Sequence, residues 1–351
     1  MTGLSDEAVD RLRAVANWPE FESERYTVTE EIGRGGMGIV YTAIDGALGR
    51  EVAIKVSNTV ASAAFERRLA AEARILARLE HPGIVPVHDV GRLADGRLFY
   101  VMKRVQGKTL SEHLSQQSDL SERLRIFERL CEAVAFAHAR RILHRDLKPD
   151  NVMIGSFGEV MVMDWGVAKA LSDDAETRAA SEPLSSPSAE TVLVDAPLPT
   201  TAAHAVTAPG TVIGTRGFMS PEQARGRTDD LDERADVYSL GAILQTLLRQ
   251  DAAPPHVGAR PATTAPAALK APPPLRSICG RALAVDPADR YPSASALGDE
   301  IARYRAGRAV LAHRETVLER TARLAKVYRT PIVLVLTYMI MRAIVAFVTR
   351  G

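Results

Sequence analysis

His144-Arg145-Asp146-Leu147-Lys148-Pro149-Asp150-Asn151 places cations, carboxylates and an amide within eight positions. Before it, Leu124, Phe127, Cys131, Val134 and His138 repeat at three and four residues, as one buried face of a helix does. After it, Val152-Met153-Ile154 reads as a short strand. A loop held between two rigid elements is where catalytic groups are commonly presented. The same residues also make an ordinary polar turn punctuated by Pro149 and Asp150. The flanking sequence has to separate these readings.

Upstream lies Ile32-Gly33-Arg34-Gly35-Gly36-Met37-Gly38-Ile39-Val40-Tyr41, preceded by Tyr26-Thr27-Val28. Its β-rich flanks predict a hairpin with a glycine-rich turn. Glycine lets a backbone approach a ligand closely and aim N–H groups at phosphate oxygens. A strand follows rather than a helix, which argues against a dinucleotide-binding turn of the Rossmann type. The next strand, Glu51-Val52-Ala53-Ile54-Lys55-Val56, alternates so that Lys55 shares the Ala53 face. A lysine facing inward needs an anionic partner, because an unpaired buried charge is costly. The helix predicted from Ala61 to Leu79 supplies one: Glu72 falls in its apolar stripe with Phe65, Leu69, Ile75, Leu76 and Leu79. A structural salt bridge of modest worth would look the same. Strands are expected over Ile84–Val90 and Arg97–Met102, the second after an Asp95-Gly96 turn.

Downstream, Val160–Met163 is expected to pair with Val152–Ile154 and to end in Asp164-Trp165-Gly166. An aspartate at a strand tip suits metal coordination or a turn cap. From Leu171 to Gly210 the chain turns to Ala, Ser, Thr, Pro and acidic residues without periodicity, a composition expected to be mobile. It leads into Gly214-Thr215-Arg216-Gly217-Phe218-Met219-Ser220-Pro221-Glu222 and a buried helix from Ala235 to Leu248. Residues 251–274 form a second Pro/Ala-rich connector, and helices are predicted over Leu275–Ala284 and Ser293–Arg305.

A length of 351 residues, 46% hydrophobic and 25% charged, suits two packed lobes with tails. The net charge of +1 gives no global drive toward nucleic acid. Cys131 and Cys279 sit in apolar helical segments, which fits neither a zinc site nor a disulfide framework and favours a reducing compartment. Residues 5–16 predict an amphipathic helix, and the N-terminus carries no secretory signal pattern.

In chain order, the glycine loop, Val52-Ala53-Ile54-Lys55, the His144–Asn151 loop, Asp164-Trp165-Gly166 and Pro221-Glu222 resemble the protein-kinase signature set. The resemblance covers Tyr26 to Arg305. Gly-Met-Gly, Leu147–Asn151 and Ser220-Pro221-Glu222-Gln223-Ala224-Arg225-Gly226 are similar to bacterial Hanks-type serine/threonine kinases in particular. The resemblance implies an α+β, two-lobed fold, with a β-rich N-lobe over 25–105 and a helical C-lobe over 106–306 containing a long activation-segment insert at 171–210. A helical extension over 1–24 would precede the lobes.

It also implies roles. Gly33, Gly35, Gly36 and Gly38 would cover the ATP phosphates, with Ile32 beside them in the nucleotide site and Lys55 on the α- and β-phosphates and paired to Glu72. Val40, Ala53 and Met153 would enclose the adenine, with Met102 behind it and the backbone of Lys103 to Val105 as the hinge. Asp146 would accept the proton of the substrate hydroxyl, with Lys148 beside the γ-phosphate. Asn151 and Asp164 would be the ligands of Mg²⁺, or of Mn²⁺ in its place. Lys148 and Thr215 favour Ser and Thr acceptors. Glu222 should pair with Arg290, and Asp236 should brace the catalytic loop.

The chain departs from the family pattern at Trp165, where phenylalanine is usual and the larger ring should change the packing near Glu72. It departs again at Lys103, where a hinge glutamate is common. Arg145 can bind a phosphate on the activation segment, which singles out Thr207 and Thr211 as autophosphorylation candidates, served by a homodimer. A polar linker without a regulatory site is the plain alternative. Competing functions are a kinase-like signalling scaffold, disfavoured because Lys55, Glu72, Asp146, Asn151 and Asp164 are all present, and a small-molecule kinase, disfavoured by Ser220-Pro221-Glu222.

At the C-terminus, residues 307–330 form a basic segment and 331–349 an apolar one carrying Arg342. The expectation is a tail anchor holding a cytoplasmic kinase domain at the inner membrane, despite an insertion cost for Arg342 of about 2.5–3.5 kcal/mol. A helix packed on the kinase or on a partner is the alternative. With no sensor domain after the tail, the activating signal is expected from the cytoplasm or from a partner.

Overall fold

The computed structural model describes residues 18–21, 25–35, 38–57, 72–114, 119–165, 169–170, 217–226, 231–249 and 269–348. The expected N-terminal helix over 5–16, the whole of 171–210, residues 251–268 of the second connector, and Gly36, Gly166, Thr207, Thr211 and Thr215 lie outside them.

The first lobe is an antiparallel sheet of β1 (Tyr26–Gly35), β2 (Gly38–Asp45), β3 (Arg50–Val56), β4 (Val87–Arg92) and β5 (Leu98–Lys103), in the order β1-β2-β3-β5-β4. Alternation sorts its side chains. Val52, Ile54 and Val56 of β3, with Phe99 and Val101 of β5, join Tyr26, Ile39, Tyr41 and Ala43 in a small core on one face. Ala53 and Lys55, with Tyr100 and Met102, therefore take the other. Residues 72–77, labelled α1, are helical and add Ala73 and Leu76 to the larger core. β4 starts at Val87 rather than at Ile84. Ile84 makes a separate parallel bridge to Val162, and Pro86 lacks the N–H a ladder requires.

The second lobe begins with β6 (Gly107–Thr109), α2 (Leu110–Leu114) and α3 (Leu120–Ala139). Next come β7 (Ile142–Leu143), β8 (Val152–Gly155), β9 (Val160–Val162) and β10 (Lys169–Ala170). β6, β8 and β9 form one small sheet, and β7 and β10 pair separately. α4 (Pro221–Ala224), α5 (Glu233–Leu248), α6 (Pro273–Ala282) and α7 (Ala294–Arg305) complete the lobe. Its core is built from Phe127, Leu130 and Val134 of α3, Leu240, Ile243 and Leu247 of α5, Ile278 of α6 and Ile301 of α7. Cys131 and Cys279 are free thiols buried within it.

The basic segment after the lobes is structured. Leu311 and Ala312 donate backbone N–H groups to Glu300 at 2.9 and 2.8 Å, pinning the chain back on α7. α8 (Val317–Val327) then starts at a capping box made by Thr316 and Glu319. α9 (Arg329–Val348) follows. Among the described residues no helix is long and apolar enough to cross a membrane, so the tail anchor expected over 331–349 is not supported. The apolar part of α9 starts only at Ile332, spans about 26 Å against a bilayer core of about 30 Å, and contains Arg342. α9 instead leaves Leu334, Val335, Met339 and Ile340 more than half exposed.

Candidate active site

The site lies where the open face of the five-stranded sheet meets the loops after β7 and β9. Lys55 projects from β3 and is buried. Its Nζ donates to Glu72 Oε1 and Oε2 at 3.0 and 3.3 Å and to Asp164 Oδ1 at 3.1 Å. Strand, helix and loop thus converge on one ammonium. Burial alone would lower the Lys55 pKa, but Tyr100, Glu72 and Asp164 together raise it above the ordinary lysine value. For Asp164, burial pushes the carboxyl upward, yet Lys55, His144 and Lys148 bring it below the ordinary aspartate value. Both groups are therefore ionised at neutral pH.

The loop after β7 is held from beneath. The buried carboxylate of Asp236, in the first turn of α5, accepts from the backbone N–H of His144 at 2.8 Å and of Arg145 at 2.9 Å. It also contacts His138 Nε2 at 2.8 Å, while the buried His138 Nδ1 makes no hydrogen bond among the described residues. This grip accommodates Arg145 at φ 69°, a left-handed conformation unusual outside glycine; Asp164 at φ 58° is a second. Two such residues flanking one cleft point to a functional site, since this strain persists only where the surroundings over-determine it. His144 links the loops. Its Nδ1 accepts from Asp146 N at 3.3 Å, and its Nε2 lies 3.0 Å from Met163 O, which requires the Nε2–H tautomer. Trp165 is buried with its ring 4.6 Å from that of His144. Its indole N–H has no partner among the described residues.

Within the loop, Lys148 Nζ donates to Asp146 Oδ2 at 2.9 Å. Asn151 Nδ2 donates to Asp146 O at 2.9 Å and to Oδ2 at 3.3 Å. Asn151 O accepts from Met163 N at 2.9 Å, tying this loop to the one bearing Asp164. With its amide N–H₂ so used, Asn151 keeps its side-chain oxygen as an acceptor. That oxygen and the ionised Asp164 are hard donors that suit Mg²⁺. Among the described residues no group of three His, Cys, Asp or Glu could hold a metal ion. A cation that draws its other ligands from phosphates and water needs none.

The nucleotide residues expected from the sequence fall around this cluster. Gly35 and Gly38 face each other across the β1–β2 hairpin, and Ile32 is half exposed on β1. A Cβ at Gly33 or Gly35 would meet nothing within 4 Å, so packing does not explain those glycines. At Gly38 a Cβ would lie 2.4 Å from the Val56 carbonyl oxygen. Val40 and Ala53 lie on adjacent strands, with Ala53 opposite Met102 of β5. Lys103 ends β5, Val105 follows it, and Met153 lies on β8. Sequence reasoning missed two supports. Tyr100 OH donates to Glu72 Oε1 at 2.9 Å, and Gln223 Nε2 donates to Arg145 O at 2.9 Å. The second was within reach, because Ser220-Pro221-Glu222-Gln223 has capping-box spacing and α4 forms that box.

Residues 26–297 match the protein kinase domain family. The chain is 35% identical over 309 residues to the serine/threonine-protein kinase PknD of Chlamydia caviae, covering 81% of this chain and 31% of the relative. It is 34% identical over 310 residues to PknD of Chlamydia felis, with the same coverage. To PknD of Protochlamydia amoebophila it is 34% identical over 244 residues, covering 65% of this chain and 23% of the relative. The chain thus spans under a third of the length of these curated relatives.

Proposed function

The chain belongs to the protein kinase domain family, and on that premise we propose that it is an ATP-dependent serine/threonine protein kinase. The observation that carries this reading is the Lys55–Glu72 ion pair, shared with Asp164, above a loop in which Asp146, Lys148 and Asn151 touch one another. Phosphoryl transfer asks a protein chiefly to position reactants and balance charge, and this cluster is suited to both.

In this reading the substrate hydroxyl oxygen attacks the γ-phosphorus, the bond to the departing ADP breaks, and the hydroxyl proton passes to Asp146. Lys148, already on the same carboxylate, balances charge on the transferring group. Lys55 takes the α- and β-phosphates, and the N–H groups of Gly33, Gly35, Gly36 and Gly38 cover them. Asn151 and Asp164 would hold Mg²⁺, which neutralises phosphate charge when bound. Val40, Ala53, Met102, Met153 and the Lys103–Val105 backbone form the adenine pocket. Substrates are proteins with Ser or Thr acceptors. We further propose that Thr207 or Thr211 is autophosphorylated between two copies of the chain and that Arg145 receives the phosphate.

Transfer of labelled phosphate from ATP and Mg²⁺ to self and to a generic protein tests the reading. Wild type should label both, and Asp146→Asn should lose at least about 100-fold, the scale of losing a positioned base. Absence of transfer by wild type would favour a kinase-like scaffold. An unmodified activation segment in fully active enzyme, seen by mass spectrometry, would remove Thr207 and Thr211 from the account.

A further inference from the structure

Tyr100 lies directly opposite Lys55 in the β3–β5 ladder, on the same face of the sheet. Its hydroxyl donates to Glu72 Oε1 at 2.9 Å, and its ring centroid is 5.7 Å from Lys55 Nζ. The side chain is buried beside Ala73 and Leu76 of α1. Glu72, itself 2% exposed, thus has one donor besides Lys55 among its described contacts, and Lys55 divides its own hydrogens between Glu72 and Asp164.

That division creates a mechanical problem. Bound phosphates must draw the Lys55 ammonium toward themselves, which loosens its grip on Glu72. Were Lys55 its only donor, the buried Glu72 carboxylate would then move or recruit water, and α1 would move with it. A neutral donor on a central strand answers to neither nucleotide nor metal. We propose that Tyr100 is a positioning residue for phosphoryl transfer, holding the Glu72 carboxylate in place independently of Lys55 so that Lys55 stays aimed at the nucleotide phosphates. The proposal rests on the kinase reading. Burial next to Glu72 keeps the phenol protonated far above neutral pH, so the donor persists throughout the working range.

Tyr100→Phe removes the O–H and keeps the ring, its packing and its contact with Lys55. The KM for ATP should rise about tenfold, the low end of what a hydrogen bond to a charged group is worth. Calorimetric affinity for ATP–Mg²⁺ should fall by the same factor. The KM for the protein substrate should stay unchanged, and the melting temperature should shift by no more than about 3 °C. In a Glu72→Gln background, adding Tyr100→Phe should leave ATP affinity where Glu72→Gln put it, because the two residues act as a unit. A tyrosine that only fills space would leave ATP affinity alone, because the ring and its packing are kept. Active wild type with unchanged ATP affinity in Tyr100→Phe, or additive effects in the double variant, overturns the assignment of Tyr100. Wild type without transfer overturns the kinase reading beneath it.

Discussion

Arg290 donates through Nη1 and Nη2 to the two carboxylate oxygens of Glu222, at 2.6 and 2.8 Å. Its side chain is fully buried, and its remaining N–H groups go to Ala284 O, Arg234 O and Val285 O. Every donor of the guanidinium is used, the condition under which a buried arginine is tolerated. The pair fastens α4, whose Gln223 reaches the catalytic loop, to the segment before α7.

Removing Glu222 leaves that charge uncompensated. Glu222→Ala should cost about 3–5 kcal/mol in urea unfolding. Arg290→Lys should cost more than half as much, because one ammonium cannot reach carbonyls and carboxylate together. Unfolding midpoints equal to wild type would contradict this.

Acid should act through the same group and through Asp236. Burial pushes the Glu222 carboxyl up, but the hydrogen bonds from Arg290 hold it below its ordinary value. Burial likewise opposes ionisation of Asp236, and His138, His144 and the Arg145 N–H outweigh it. A carboxyl depressed in the folded state adds stability that is complete above its unfolded pKa of about 4 and lost as pH falls through the folded value. The melting temperature should therefore be nearly flat from about pH 7 to 5 and drop steeply below about 4. Glu222→Ala should shallow that drop, and parallel wild-type and variant profiles would exclude Glu222 as a source.

Much of the site was legible because each part is set locally. Alternation along β3 turns Lys55 inward, and the three-four stripe turns Glu72 inward, so their ion pair follows from two short-range patterns. The relation of Asp146 to Lys148 and Asn151 lies within six residues of chain. Tyr100 was not legible: in Leu98–Lys103 a tyrosine reads as core filler, and its partner lies 28 residues away. The fate of 331–349 was not legible for a related reason. Apolar content shows that a helix wants cover, but whether it can span a bilayer turns on a shortfall of a few ångströms and on Arg342.

The basic segment hid a helix whose start was readable. Thr316-Val317-Leu318-Glu319 has capping-box spacing, and Thr316 Oγ1 accepts from Glu319 N at 3.3 Å while Glu319 Oε2 accepts from Thr316 N at 2.8 Å. Thr316→Ala should destabilise α8 by about 1 kcal/mol, seen as faster amide exchange in its first turn. Exchange in α3 and α5 should not change. Uniform acceleration across the lobe would mean that α8 is part of the folding core.

The hairpin glycines separate packing from ligand binding. Gly38→Ala would bring a methyl group within 2.4 Å of the Val56 carbonyl oxygen, a backbone atom of β3. Relief requires prying β2 from β3, so the variant should lose about 1–3 kcal/mol of stability. At Gly33 and Gly35 the added methyl group meets nothing within 4 Å, and neither φ lies in the left-handed region. Gly33→Ala and Gly35→Ala should therefore unfold within about 0.5 kcal/mol of wild type. If ATP phosphates occupy the open space above them, the same methyl groups obstruct the approach, and the KM for ATP should rise several-fold in folded protein. Melting curves and ATP titrations on the three variants decide the matter. A Gly33→Ala enzyme with wild-type stability and wild-type ATP affinity would place the phosphates elsewhere.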